Sequence, residues 1–347
     1  MSGNRPNVGL RLIGWLAELA AIGATPEGGC RRLALSDEDR HGRDWLVARM
    51  RATGLDVRID AVGNIVGILK GRADGPAVIL GSHIDTVETG GRYDGALGVL
   101  AGLEVLATLR DAGLTPARDI AVIAFTNEEG ARFQPDMLGS YVWVGGMSAA
   151  EADAQRDAQG HLFGTELDRI GYRGPERPGF LAAHAYLELH IEQGPVLEQE
   201  GGGLGAVTGV QAITWLEVTL TGRPSHAGTT PMAYRRDPGL AAARLNLFAY
   251  DLTRRIPGLL ANMGVIRLEP GNINVVPERL TVTLDLRHPD DATLAAAEAA
   301  LSEHCADIAA RDGIALATRD LVRCPAVAFA EPMIAMVEAA AAEFGLP

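Results

Sequence analysis

Cysteine is scarce in this chain of 347 residues: there are three, Cys30, Cys305 and Cys324, widely spaced and forming no C-x-x-C pair. That excludes a disulfide framework and reads as ordinary buried thiols in a reducing compartment. Positive charge is also in short supply. Lys and Arg total 31 against 44 Asp and Glu, a formal net charge of -13. Nucleic-acid binding wants a concentrated basic face, so a nucleic-acid partner is not expected. The same charge keeps a soluble protein dispersed by self-repulsion. A long apolar run is missing too. The opening "MSGNRPNVGLRLIGWLAELAAIG" has Glu18 inside its apolar stretch and no clean cleavage site. Leu10, Ile13, Leu16 and Ala20 recur there at helical spacing, which predicts an amphipathic helix rather than a signal or membrane segment. The expectation is a cytoplasmic protein without a membrane partner.

What the chain does have is a hydrophobic content of 47% and 42 glycines. That suits a well-packed α/β protein with many tight turns, as one large domain or two ordinary ones. "LALSDEDRHGRDWLVARMRATG" reads as a helix capped by Ser36, with acids in its first turn and Gly54 closing it. "LDVRIDAVGNIVGILKG" alternates like a hairpin with Gly63-Asn64 near its turn. "PAVILG" and "RDIAVIAF" are short continuous apolar runs, as buried parallel strands are. The segment between them, "GVLAGLEVLATLRDAG", is a helix ending at Gly113. This rhythm predicts a doubly wound, mainly parallel sheet, with any site at the carboxyl ends of its strands. His83 and Asp85 follow one strand, Glu128 and Glu129 follow another, and "AHAYLELHIEQG" puts His190 late in a third.

From about residue 211 the order becomes strand, helix, strand, strand, helix, strand, which is the ferredoxin-like βαββαβ plan. The expected architecture is therefore a catalytic domain of residues 1–210 plus 326–347, into which a lid and dimerisation domain of residues 211–325 is inserted. The closing "AEPMIAMVEAAAAEFGLP" reads as a helix returning to the first domain.

"GSHIDTVETGGRYDGALGVL" crowds a histidine and two aspartates into a glycine-framed stretch, as a metal centre requires. Each part has a plainer reading. A lone His83 at a strand end is more often structural, and Asp94 could simply cap the helix at 96–111. Glu128-Glu129 could be solvated charge, and His190 a satisfied histidine near a sheet end. Jointly, His83, Asp94, Glu129 and His190 on one rim point to a dinuclear site of histidine and carboxylate ligands. Asp85 stands where it could orient the His83 ring. Adjacent carboxylates allow a division of labour, one on metal and one taking a proton.

The motifs "GSHIDTV", "GGRYDGALGVLAGLEVL", "FTNEEGARF", "ELHIEQGPVLE", "GRPSHAGTTPMAYRRD" and "NINVVPERLTVTLDLRHP" closely resemble the hydantoinase/carbamoylase amidases. These belong to the wider group of dinuclear zinc amidohydrolases and peptidases. The resemblance runs through essentially the whole chain, in the same order. It implies two divalent ions, zinc with manganese or cobalt as alternatives. His83 and His190 would hold one ion, Asp94 would bridge, and Glu129 would hold the other. It further implies Glu128 as general base and Asp85 behind His83. His226 would steady the oxyanion across a dimer, and Asn274 and Arg287 would clamp the substrate carboxylate. Gln193 is a weaker substrate contact. Relatives also supply a metal-binding histidine near their C-termini, whereas the last histidine here is His304. The expectation is therefore a second ion short of one ligand and a sheet short of its final strand and helix. The chain would then be a fragment or a naturally truncated form.

The implied activity is hydrolysis of a linear C–N amide in a ureido or carbamoyl compound, with an N-carbamoyl-L-amino acid preferred. Allantoate amidohydrolase and β-ureidopropionase are close alternatives. A dipeptidase or aminoacylase, and an inactive metal-binding remnant, are the rivals. A homodimer through the inserted domain is expected.

Overall fold

The computed structural model describes residues 8–345. The chain divides into two compact units, the first ending at Gln193 and the second beginning at Gly194. The first unit opens with α1 (Val8–Ala20) and α2 (Asp37–Ala52). The Ser36 hydroxyl accepts from the Asp39 amide at 3.1 Å and Asp37, Glu38 and Asp39 fill the first turn of α2. This is a side-chain cap with charge complementing the helix dipole. Strands β1 (Asp56–Ile59) and β2 (Ile65–Leu69) form an antiparallel hairpin. Then follow β3 (Ala73–His83), α3 (Ala96–Asp111), β4 (Arg118–Phe125), three short helices α4 (Leu138–Trp143), α5 (Ala149–Asp153) and α6 (Phe163–Ile170), and β5 (Ala183–Leu187).

The sheet order is β1-β2-β4-β3-β5, with β3, β4 and β5 mutually parallel and β2 antiparallel to β4. Three carboxyl ends therefore share one rim. Both sheet faces are packed. Leu46, Met50, Leu100, Leu103 and Phe163 belong to one core, and Val66, Ile79, Ala121 and Ile123 to the other. Two-sided burial is why these strands read as continuous apolar runs.

Two expectations change here. In α1 the inward residues are Leu12, Trp15, Leu16, Leu19 and Ala20, whereas Leu10 and Ile13 are exposed. Both apolar sets have helical spacing, and the packing partner selects one of them. His190 does not lie in a strand. β5 ends at Leu187, so His190 stands three residues beyond it, on the rim itself.

The second unit begins with a short helix α7 (Val196–Gln199) and the two-residue strand β6 (Gly209–Val210). Next come β7 (Ala212–Thr221), β8 (Ser225–His226), α8 (Pro238–Arg255), β9 (Leu260–Glu269), β10 (Val275–Val276) and β11 (Arg279–His288). It closes with α9 (Asp291–Asp312), β12 (Ala315–Cys324), β13 (Val327–Ala328) and α10 (Glu331–Glu343). The four long strands make an antiparallel sheet in the order β12-β7-β11-β9. In chain order that is fourth, first, third, second, with α8 and α9 as the two connecting helices. β7 and β11 alternate buried and half-buried residues, as strands covered on one face do. Leu216, Val218, Leu245, Leu252, Val282, Leu284 and Leu301 share that core. No helix among the described residues is long and apolar enough to cross a membrane.

Candidate metal centre

His83 ends β3 with its ring almost fully buried, 2% exposed. Ring orientation comes from the backbone: His83 Nδ1 lies 2.9 Å from the Asp85 carbonyl oxygen. The Asp85 carboxylate is 3.8 Å from that nitrogen and is engaged elsewhere. Its two oxygens accept from the backbone amides of Glu128 and Glu129, at 3.2 and 3.3 Å. Asp85 therefore ties the end of β3 to the end of β4. The β4 end is shaped by Asn127, whose φ of 53° is rare for a non-glycine but tolerated by asparagine. Its side-chain amide donates to the Phe133 and Pro135 carbonyls, at 2.9 and 3.2 Å.

Asp94 is not a helix cap. The N-cap of α3 is Gly95, at φ 62°, which leaves the Asp94 carboxylate to face the rim. His190 Nε2 is 3.2 Å from Asp94 Oδ1, and Gln193 donates to Asp94 Oδ2 at 2.7 Å. One donor atom each from His83, Asp94 and His190 lie within 4.8 Å of one another. Glu128 Oε2 is 3.3 Å from His83 Nε2. Glu129 stands beside this trio.

These donors suit a divalent ion: two imidazole nitrogens and a carboxylate. Asp94 Oδ1 and Glu129 Oε1 are both buried without a hydrogen-bond partner. Such orphaned carboxylate oxygens are costly unless a cation or a donor meets them. The local electrostatics agree. Burial pushes the Glu128 carboxyl up to about 7, opposed by His83 and reinforced by Asp85, Glu129 and Glu188. Burial likewise raises Asp85, and raises Glu129 with Asp94 adding to it. For His83, burial opposes the charged ring, yet Asp85 and Glu128 outweigh it and the pKa rises. Without a cation the cluster is rich in carboxylates that resist ionising together.

The other expected site residues lie in the second unit. β8 and β10 pair with His226 opposite Val275, and the Ala227 amide donates to the Asn274 carbonyl at 2.9 Å. This ribbon sets His226 beside Asn274. The His226 Nδ1 accepts from the Gly228 amide at 3.0 Å. Arg287 lies on β11, its guanidinium donating to Asp285 two residues earlier at 2.9 to 3.2 Å.

Two contributors escaped the motif reading. Ser82 and Tyr186 both donate to the Glu188 carboxylate, at 2.5 and 2.6 Å, joining β3 to β5 beside the rim. Behind the site, Arg43 is buried against Asp39 at 2.7 Å and donates to Gly63 O and Thr126 Oγ1. The i,i+4 Asp39–Arg43 spacing was visible, but it is also the spacing of an ordinary surface pair.

The profile of peptidase family M20/M25/M40 matches residues 79–347. The N-carbamoyl-L-amino-acid amidohydrolase of Rhizobium meliloti is 40% identical over 337 residues, which is 96% of this chain and 81% of that protein. The allantoate amidohydrolase of Escherichia coli (strain K12) is 38% identical over 280 residues, 80% of this chain and 68% of that one. A crystal structure of a hydantoinase/carbamoylase family amidase from Burkholderia ambifaria superposes with a TM-score of 0.90. It is 46% identical and covers 97% of this chain and 84% of its own.

Proposed function

Because this chain belongs to peptidase family M20/M25/M40, as an amidohydrolase of its hydantoinase/carbamoylase branch, we propose that it hydrolyses the ureido C–N bond of an N-carbamoyl-L-amino acid. The observation that carries this reading is the convergence of His83, Asp94 and His190 donors on one strand rim, with the Glu128 carboxylate alongside. In this reading His83, Asp94 and His190 would hold one divalent ion, and Glu129, with Asp94, would contribute to holding a second. Zinc suits the donor set, and manganese or cobalt would serve. Bound ions supply Lewis acidity to the ureido carbonyl and to the attacking water.

The chain's own groups do the rest. Glu128 takes the proton from water as its oxygen joins the carbonyl carbon, and returns it to the departing amino-acid nitrogen as the C–N bond breaks. The remaining carbamate falls apart to carbon dioxide and ammonia. Asp85 holds Glu128 and Glu129 in place through their backbone amides, so a base and a ligand stay in fixed relation. His226 donates to the developing oxyanion. The Arg287 fork and the Asn274 amide grip the substrate carboxylate. Residues 211–325 act as a lid and as the surface through which two copies pair, and we place the enzyme in the cytoplasm.

Ammonia release from a panel of N-carbamoyl-L-amino acids, allantoate and β-ureidopropionate, and amino-acid release from dipeptides, test the proposal, with zinc, manganese or cobalt added. The expected result is fastest turnover of a carbamoyl-L-amino acid. Preference for allantoate or a dipeptide would replace this substrate, and no turnover of any would remove the hydrolytic reading of this chain.

A further inference from the structure

Five arginines, Arg223, Arg235, Arg236, Arg244 and Arg311, line one cavity of about 780 Å³ in the second unit. Two carboxylates share it, and neither is free. Asp237 caps α8, accepting from the Gly239 and Leu240 amides at 2.9 and 3.4 Å. Asp312 is divided between Arg244 at 2.5 Å and Arg311 at 3.2 Å. Arg235 donates to the Thr230 and Ala227 carbonyls, at 3.0 and 2.5 Å. Arg223 and Arg236 have no side-chain hydrogen bond or ion pair among the described residues. Their backbones nonetheless form an antiparallel bridge, with the Arg223 amide donating to the Arg236 carbonyl at 3.0 Å.

Like charges set opposite each other across a bridge are destabilising. Here two arginines stand opposite each other on the backbone, and neither side chain has a carboxylate partner among the described residues, in a chain whose net charge is -13. We infer that this cavity binds a phosphate-class oxyanion, held by Arg223 and Arg236 with Arg311 and Arg244 behind them. Two free planar forks call for an acceptor with three or more oxygens and more than one negative charge, which a single carboxylate does not offer. The volume admits more than one phosphate group. Through Arg235 the site also reaches the Ala227–Thr230 turn that follows His226, so an occupant would stiffen that segment.

The test is calorimetric titration of the metal-loaded protein at fixed ionic strength with inorganic phosphate, pyrophosphate and ADP. Saturable binding with a Kd below about 1 mM is expected for at least one. Their order separates a free ion from a phosphorylated metabolite as the source. The Arg223→Ala/Arg236→Ala double variant should bind at least about tenfold more weakly, a difference of about 1.4 kcal/mol. It should also melt no lower than the parent, because a repulsion is removed. Arg319→Ala, on β12 and paired with Glu217 outside this cavity, should bind like the parent. No saturable binding up to about 10 mM would overturn the inference. So would binding that survives in the double variant, or weakens equally in Arg319→Ala. A double variant that melts clearly lower would do so as well, since the two arginines would then be holding the fold.

Discussion

Gly95 carries two constraints at once. Its φ of 62° lies in the left-handed region, and a Cβ there would sit 2.4 Å from the His83 ring. Gly95→Ala should therefore lose at least about 2 kcal/mol and much of the bound metal, since the ring has no room to retreat. Thermal melting and elemental analysis would show it; an alanine variant with parental metal content would mean that the ring can shift freely. Glu128 makes the complementary case. Glu128→Gln keeps the shape and loses the proton acceptor, so metal content should hold while turnover falls by at least about 10²-fold. Steady-state kinetics on the preferred substrate decide this, and unchanged turnover would take Glu128 out of its assigned part.

At the scale of elements, the rim is braced by arginines that link segments far apart in sequence. Arg132 follows the Glu128-Glu129 turn and donates to Asp157, Glu166 and the Ala34 carbonyl, at 3.1, 2.7 and 3.1 Å. Burial alone would raise both carboxyls, but their hydrogen bonds, those from Arg132 included, outweigh it and hold both below the usual range. A depressed carboxyl contributes stability that is fully present above its unfolded pKa of about 4 and is lost as pH falls through the lower folded value. Arg132→Met should thus cost about 2–3 kcal/mol at pH 7. The gap in melting temperature from the parent should narrow as pH drops from about 5 to about 3. A gap independent of pH would assign the effect to packing of the arginine stem.

The edge strands of the second unit bear on the whole molecule. β9 is an edge of the four-stranded sheet, and its Leu260, Val265, Ile266 and Leu268 are all exposed. A ten-residue apolar edge invites pairing with a second copy about a two-fold axis. Light scattering should report a dimer at micromolar concentration, and Ile266→Lys on that edge should shift it toward monomer. A parent that stays monomeric while hydrolysing its substrate at full rate would end the idea.

Much of this protein was legible in the one-dimensional chain. The β3-α3-β4 rhythm, the βαββαβ order and the candidate donors all follow from local periodicity, turn chemistry and residue type, which neighbours in sequence determine. Tertiary structure decided the rest. Only packing chose Leu12, Trp15 and Leu19 over Leu10 and Ile13 as the inner face of α1, because two stripes of equal period differ solely in what lies opposite. The same holds for Asp85, where the backbone carbonyl and not the carboxylate meets the His83 ring. The carboxylate is claimed by two amides just beyond β4, more than forty residues away in sequence. Hydrogen-bond competition of that kind is settled through space, so the pattern of residues could name the donors but not their partners.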